Sequence, residues 1–200
     1  MLLVIETATA ACSAALLGED GAPIDERHEI VGRGHAERLL PMIEDLLAGR
    51  RPASILVDCG PGSFTGVRVG LAAAHGLAIG WNVALAGYSS LALVAAASGE
   101  SDLAVALPGG HGELFVQSYG GDPIAPLDEL ASLAPAAAAA RIGAALVVGP
   151  GAEALVAARG GGRWIDALPR AADAWRLPPP LRALPPRPIY GRAPDARPMM

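Results

Sequence analysis

Apolar positions fall in short runs at the start of the chain and at helical spacing soon after. Residues 2–5 and 12–17 are apolar runs joined by Thr7-Ala8-Thr9-Ala10-Ala11, and Gly18-Glu19-Asp20-Gly21 then turns the chain toward Ile24. Short runs separated by turn residues predict a β-meander. Between Gly34 and Gly49, Ala36, Leu39, Leu40, Ile43, Leu46 and Leu47 recur on one helical face. Gly49 followed by Arg50-Arg51-Pro52 stops that helix, and Pro41 within it predicts a kink or marks the true start. Residues 55–57 read as a buried strand, 67–79 as a helix, 83–86 as a strand and 90–98 as a helix, so this half predicts an α/β layer fold.

The second half is less regular. Residues 103–107 and 114–119 read as strands around a turn, 127–142 as an Ala-rich helix interrupted at Pro135, 146–148 as a strand and 152–159 as a short helix. Gly160–Gly162 reads as a flexible joint, and from Pro178 onward proline leaves room only for an extended strand near Ile189-Tyr190. A boundary near residues 99–101 would divide an N-terminal subdomain, 1–100, from a smaller C-terminal one, 101–200, that ends in a Pro/Arg-rich tail.

Composition sharpens this picture in three ways. The chain has 200 residues, enough for a real core, and is 52% hydrophobic but only 4% aromatic, so its elements meet through small side chains. No apolar run reaches the ~20 residues of a membrane span, and the first residues read as a core strand, not a leader. Cys12 and Cys59, both in apolar strand-like settings, read as free thiols of a reducing, cytoplasmic compartment. There is no lysine, which excludes any mechanism that needs one. Charge is uneven: residues 1–158 carry seven Arg against seventeen acids, and 159–200 carry eight Arg against three. An acidic body with a basic tail predicts a tail that touches something.

The stretch most like machinery is "CGPGSFTGVRVG", residues 59–70. It fails as a Walker A loop, which needs a lysine, and as G-x-G-x-x-G, because Thr65 stands where the third glycine belongs. Pro61 also removes a backbone N–H that an anion would use. A tight strand-to-helix turn is the better reading, with Ser63 and Thr65 as candidate caps and Arg68 in the first helical turn. Inside the helix, Gly66, Gly70, Ala74 and Ala78 form an i, i+4 row of small residues, which suits either a closely approaching partner helix or the protein's own sheet. His28, His35, His75 and His111 form no H-E-x-x-H motif, and no G-x-S-x-G elbow occurs. Glu6, ending the first strand, is the best lone carboxylate. It suits a metal–phosphate contact in a nucleotide-binding protein, or a turn cap.

Four segments together resemble the TsaB family: "IETATAACSAAL" (5–16), "GRGHAERLLPMIEDLL" (32–47), "GPGSFTGVRVG" (60–70) and "GYSSLALVA" (87–95). The ending "PIYGRAPDA" (188–196) resembles that family's C-terminal motif. The resemblance implies an actin/Hsp70-like (ASKHA) α/β fold of two subdomains, each a β-meander with packed helices. It implies a non-catalytic subunit that needs no cofactor or metal and pairs with its paralogue TsaD. The pair recruits the small ATPase TsaE for threonylcarbamoylation of the adenosine beside the anticodon of tRNAs reading ANN codons. It also implies a homodimer in isolation, through the helical face that TsaD uses. The H-x-x-x-H metal motif of TsaD-type relatives is missing here. The usual first-strand Asp is Glu6, and a D-A-R-x-x-E-V-Y-like stretch is reduced to residues 108–115, keeping Glu113.

Three classes compete: a scaffold subunit, an ASKHA-type ATP-dependent phosphotransferase and a metallopeptidase. The scaffold is expected, because the first turn has no glycine and both phosphate-loop patterns fail. On that expectation Gly66, Gly70, Ala74 and Ala78 face a partner, Leu39, Met42, Ile43 and Leu46 supply the bulk between subunits, and Arg187, Tyr190 and Arg192 order against the body or a partner.

Overall fold

The computed structural model describes residues 1–191. The first three runs form the expected meander: β1 (Leu2–Glu6), β2 (Ala11–Leu17) and β3 (Pro23–Ile30). Helix α1 (His35–Leu47) leads to β4 (Ser54–Asp58), and α2 (Phe64–Trp81) leads to β5 (Ala84–Tyr88). The sheet runs β3-β2-β1-β4-β5, with β2 antiparallel to β1 and to β3 and β4 parallel to β1 and to β5.

After α3 (Ser90–Ser98) the same plan recurs. The elements are β6 (Asp102–Gly110), β7 (Glu113–Gly120), β8 (Ala125–Pro126), β9 (Ala131–Leu133), α4 (Pro135–Arg141), β10 (Leu146–Val148), α5 (Ala152–Arg159) and β11 (Arg163–Ile165). Their sheet runs β11-β10-β6-β7-β8, with β9 also on β7. In both sheets the earliest strand sits in the centre, an antiparallel meander extends to one side, and two parallel strands reached through helices extend to the other.

Side-chain alternation layers the molecule. Leu3, Ile5, Ile55 and Val57 face α1 and α2, whereas Val4 and Leu56 face a second core filled by α3. Leu103, Val105 and Leu107 join that middle core from the other sheet, while Ala104 and Ala106 face α4 and α5. Helix α3 is buried from Ser90 to Ala96, which explains its lack of any polar stripe.

Two expectations change. Residues 127–134 are not helical: Ala131–Leu133 pairs with Leu114–Val116, and helix α4 begins at Pro135. Proline forces its predecessor out of the helical region (Ala134 has ψ 149°) and is at home in the first helical turn, so Pro135 starts the helix. Pro41 is not the start of α1, which begins six residues earlier at His35 and runs through it. The basic tail also forms 3-10 turns at Ala171–Arg176 and Pro179–Arg182 that the sequence pattern did not announce. The first is tied to the opening meander, since Ala171 N–H donates to Ser13 Oγ at 3.0 Å.

Candidate functional site

The glycine loop closes on the β1–β2 turn. Ser63 N–H donates to the Ala8 carbonyl at 2.7 Å, and the Thr7 hydroxyl donates to the Gly66 carbonyl at 2.8 Å. A Cβ at Gly62 would collide with the Ala8 carbonyl oxygen, and one at Gly66 with that of Thr7. Gly60 sits at φ +89°, where an L side chain is strained. The loop's amides are largely spent inward: Gly60 N–H on Asp58 Oδ1 at 2.9 Å, Ser63 N–H on Ala8, and Gly66 N–H on Ser63 Oγ at 3.2 Å. Ser63 is therefore the cap that the sequence suggested. The glycines serve close packing of turn against helix.

Beneath this clasp lie two carboxyls. Ile5 pairs with Val57, so Glu6 and Asp58 follow one step on at the carboxyl ends of two parallel strands. That edge is where open α/β sheets place their ligands. Both side chains are 0% exposed. Glu6 Oε1 accepts from Ala8 N–H at 2.9 Å and Oε2 from the Tyr88 hydroxyl at 2.9 Å, which makes Glu6 a turn cap. Asp58 Oδ1 accepts from Ser90 Oγ at 2.6 Å, while Oδ2 has no hydrogen-bond partner among the described residues. Burial raises Glu6 well above the usual carboxylate range, helped by the Asp58 charge, and burial pushes Asp58 up to about 7. Burial of both acids favours their protonated forms, which makes them poor ligands for a phosphate. Asp58, Tyr88 and Ser90 escaped sequence reasoning. The available signal was two apolar strands, "LVIE" and "ILVD", each ending in an acid.

The thiols behave as expected of buried groups: desolvation pushes Cys12 up to about 11 and Cys59 to about 12. Both are free.

The expected interface residues lie elsewhere than the expectation put them. Gly66, Gly70, Ala74 and Ala78 are on the inward face of α2, and a Cβ at Gly70 would collide with Thr7 Oγ1. Leu39, Met42, Ile43 and Leu46 are between 0% and 3% exposed and fill the core between α1 and the first sheet. The small row therefore seats α2 on β1, and those eight residues are the protein's own packing. Among the described residues the outward face of α2 is the exposed one, apart from the tail contacts at Arg68 and His75. It carries Phe64, Thr65, Ala72, Gly76, Ile79 and Gly80, with Leu40 of α1 nearby, and Ile79 is 80% exposed. Gly76 and Gly80 have nothing within 4 Å of a built Cβ, unlike Gly66 and Gly70. Leu40, Leu77 and Trp81, with Arg50 and Arg51, line a groove of about 450 Å³ between the two helices.

The tail crosses the ends of the first sheet. Leu184 and Gly87 exchange backbone hydrogen bonds at 2.7 and 2.9 Å, and Ile189 N–H donates to the Cys59 carbonyl at 2.7 Å. Tyr190 accepts from Arg68 at 3.3 Å, Arg187 has an exposed side chain, and Arg192 lies outside the described residues. No regular strand forms near Ile189-Tyr190; a single bridge at Leu184 takes its place. Among the described residues no helix is long and apolar enough to cross a membrane, and no cluster of three His, Cys, Asp or Glu could hold a metal.

Two repeats of one sheet plan with helices on their outer faces define an actin/Hsp70-like (ASKHA) α/β protein. A family model described as TsaD, tRNA N6-adenosine threonylcarbamoyltransferase, matches residues 28–171. The tRNA threonylcarbamoyladenosine biosynthesis protein TsaB of Escherichia coli is 35% identical over 59% of this chain and 54% of its own length. A Mycobacterium bovis protein described as uncharacterized is 31% identical over 99% of this chain and 94% of its own. A Pseudomonas aeruginosa crystal structure, described as similar to the peptidase YeaZ, superposes with a TM-score of 0.78 at 29% identity, covering 96% of this chain and 99% of that one. The chain belongs to the TsaB family. It spans about half the length of the curated TsaB proteins it matches.

Proposed function

We propose that this chain is a non-catalytic scaffold subunit of a cytoplasmic complex that makes threonylcarbamoyladenosine in tRNA. It pairs with a TsaD-type transferase, the pair recruits the TsaE ATPase, and in isolation it pairs with itself. Membership of the TsaB family supports the pathway. The clasp supports the absence of chemistry, because the Gly60, Ser63 and Gly66 amides are spent inside it and its two acids are buried.

One observation carries the pairing. Glycine inside a helix destabilises it by roughly 0.5–1 kcal/mol relative to alanine. Gly66 and Gly70 have an internal reason, the close approach of Thr7; Gly76 and Gly80 have none among the described residues. Their spacing and the exposed Ile79 and Leu40 suit a helix of another subunit lying close against α2. The docking face is thus the outward side of the same two helices, not the inward row.

The test is an omission assay with the TsaD-type transferase and TsaE of the same source, ATP, an activated threonylcarbamoyl donor and unmodified tRNA. The expected result is that this chain alone makes no modified adenosine, and that leaving it out abolishes product. Full modification without it, or transfer by it alone, would overturn the reading.

A further inference from the structure

The C-terminal segment returns to the opening meander at a small polar cluster that neither the clasp nor the pairing face uses. Side chains of β3 alternate between its two faces. On one face Asp25, Arg27 and Glu29 pair with Arg50, Asp45 and Arg38 of α1 and the turn after it. The other face turns Glu26 and His28 toward the 3-10 turn at Ala171–Arg176, which packs on β2 and β3.

Glu26 holds that turn in place. Its Oε2 accepts from Arg170 at 2.5 Å, and its Oε1 accepts from Ala172 N–H at 3.2 Å and Ser13 Oγ at 3.3 Å. Ser13 Oγ in turn accepts from Ala171 N–H. These bonds seat the buried Ala171, Ala174 and Leu177 in the middle core. Beyond them the chain runs on to its contacts with Gly87, His75 and Arg68, so this anchor sets where the tail's path begins.

His28 stands beside the anchor and takes no part in its bonds. Its Nδ1 is buried and has no hydrogen-bond partner among the described residues. An ion pair that only stapled the tail to an edge strand would need Glu26 and Arg170 but no such ring. The charges that act on His28 are Arg170 of the tail segment and Glu26 of its own strand, while its register partner on β2 is the uncharged Ser13. Asp173, which interacts with Arg176, Glu26 and Arg170, completes the charges of the cluster. Burial and then the Arg170 charge lower the proton affinity of His28, against the pull of Glu26. A proton forced onto the ring repels Arg170 and draws Glu26 away from its donors.

We propose that His28, Glu26 and Arg170 form an acid-sensitive switch, in which protonation of His28 releases the anchor at residues 170–176 from the meander while both sheets stay folded. The proposal rests on neither the family nor the pairing reading. A histidine whose proton affinity falls on closing favours the closed arrangement fully above its free value of about 6.5. That preference is lost as pH falls from there toward the lower value of the closed arrangement. Glu26, whose burial is outweighed by its bond to Arg170, loses its contribution only below about 4.3. His28 therefore governs the range from about pH 6.5 to 5.

The experiment is hydrogen exchange on the full chain from pH 7.5 to 5, corrected for intrinsic rates and resolved at the Ala171 and Ala172 amides. Expected is a loss of protection at both of up to about tenfold per pH unit below about 6.5. The amides of Val4 and Leu56, in β1 and β4, should lose none. His28→Gln should flatten the decline, and Glu26→Gln should lower protection already at pH 7.5. In the parent, the His28 ring followed by NMR should titrate with a midpoint below about 6.5. Protection at Ala171 and Ala172 that holds to pH 5 overturns the proposal. So does a loss in step with Val4 and Leu56, which would be global unfolding, or an equal decline in His28→Gln. Should that variant not fold, the parent decides alone: a ring midpoint at or above about 6.5 overturns the switch.

Discussion

Gly70→Leu should lower the melting temperature by roughly 2–12 °C. A side chain there meets Thr7 Oγ1 at once and Ile5 Cγ2 at 3.7 Å, in a gap between α2 and β1 that has no room to give. Overpacking a tight core costs about 1–3 kcal/mol, and displacing Thr7 breaks its hydrogen bond to the Gly66 carbonyl, worth roughly 1 kcal/mol. The gain in helix propensity returns only about 0.8 kcal/mol. The net cost is about 1–3 kcal/mol, and in a chain of this size each kcal/mol moves the midpoint by roughly 2–4 °C. The fraction that remains folded should still pair. A thermal melt with light scattering checks both halves, and an unchanged midpoint with pairing lost would return Gly70 to an interface.

The second large effect concerns pH. An acid whose proton affinity rises on folding stabilises the fold fully below its unfolded pKa, and that stability is lost as pH rises through the folded value. For Asp58 the window runs from about 3.9 to about 7. Each tenfold change in proton affinity is worth about 1.4 kcal/mol, so the loss across the window is at most roughly 4 kcal/mol. Glu6 adds a loss of the same sign at higher pH, since its folded pKa is also raised. Glu26, lowered on folding despite partial burial by its hydrogen bond with Arg170, works in a separate window: its contribution is lost as pH falls below about 4.3. His28, whose proton affinity burial lowers, opposes the Asp58 slope below about 6.5. The informative quantity is therefore the difference between parent and variant. In Asp58→Asn the amide oxygen keeps the Ser90 and Gly60 hydrogen bonds, and no charge develops beside Glu6. Urea unfolding from pH 5 to 8 should show a flatter profile than the parent, with relative stability rising toward pH 8. Parallel profiles would mean that Asp58 does not titrate in this range.

These two residues also mark the limits of sequence reasoning. The strands of the first sheet were legible because β1, β2 and β4 are apolar runs bounded by turn residues, and α1 because its charges avoid one face. In α2 the outer and inner faces look alike. Glycine and alanine occupy both, so spacing alone could not say whether Gly66, Gly70, Ala74 and Ala78 look in or out. The answer came from Thr7, more than fifty residues away in sequence. Asp58 was missed because an acid after an apolar run reads as a turn residue until a second such acid is placed beside it by parallel pairing. Strands β8 and β9 have two and three residues, too short for any period to show. The 3-10 turn at Ala171–Arg176 is held by Ser13 and Glu26, so nothing local announces it.

The outward face of α2 as the pairing surface is tested most directly by Gly76→Leu. A built Cβ there meets nothing within 4 Å, so the fold should accept the side chain and gain roughly 0.8 kcal/mol of helix propensity. Against a closely approaching helix the same side chain overpacks, and a cost of about 1–3 kcal/mol weakens association roughly tenfold to a hundredfold. Light scattering of parent and variant, each alone and with the TsaD-type transferase, reads this out. The expected result is a parent that pairs and a variant that stays monomeric with an equal or slightly higher melting temperature. A variant that pairs as the parent does, or a parent that pairs with neither itself nor the transferase, would contradict it.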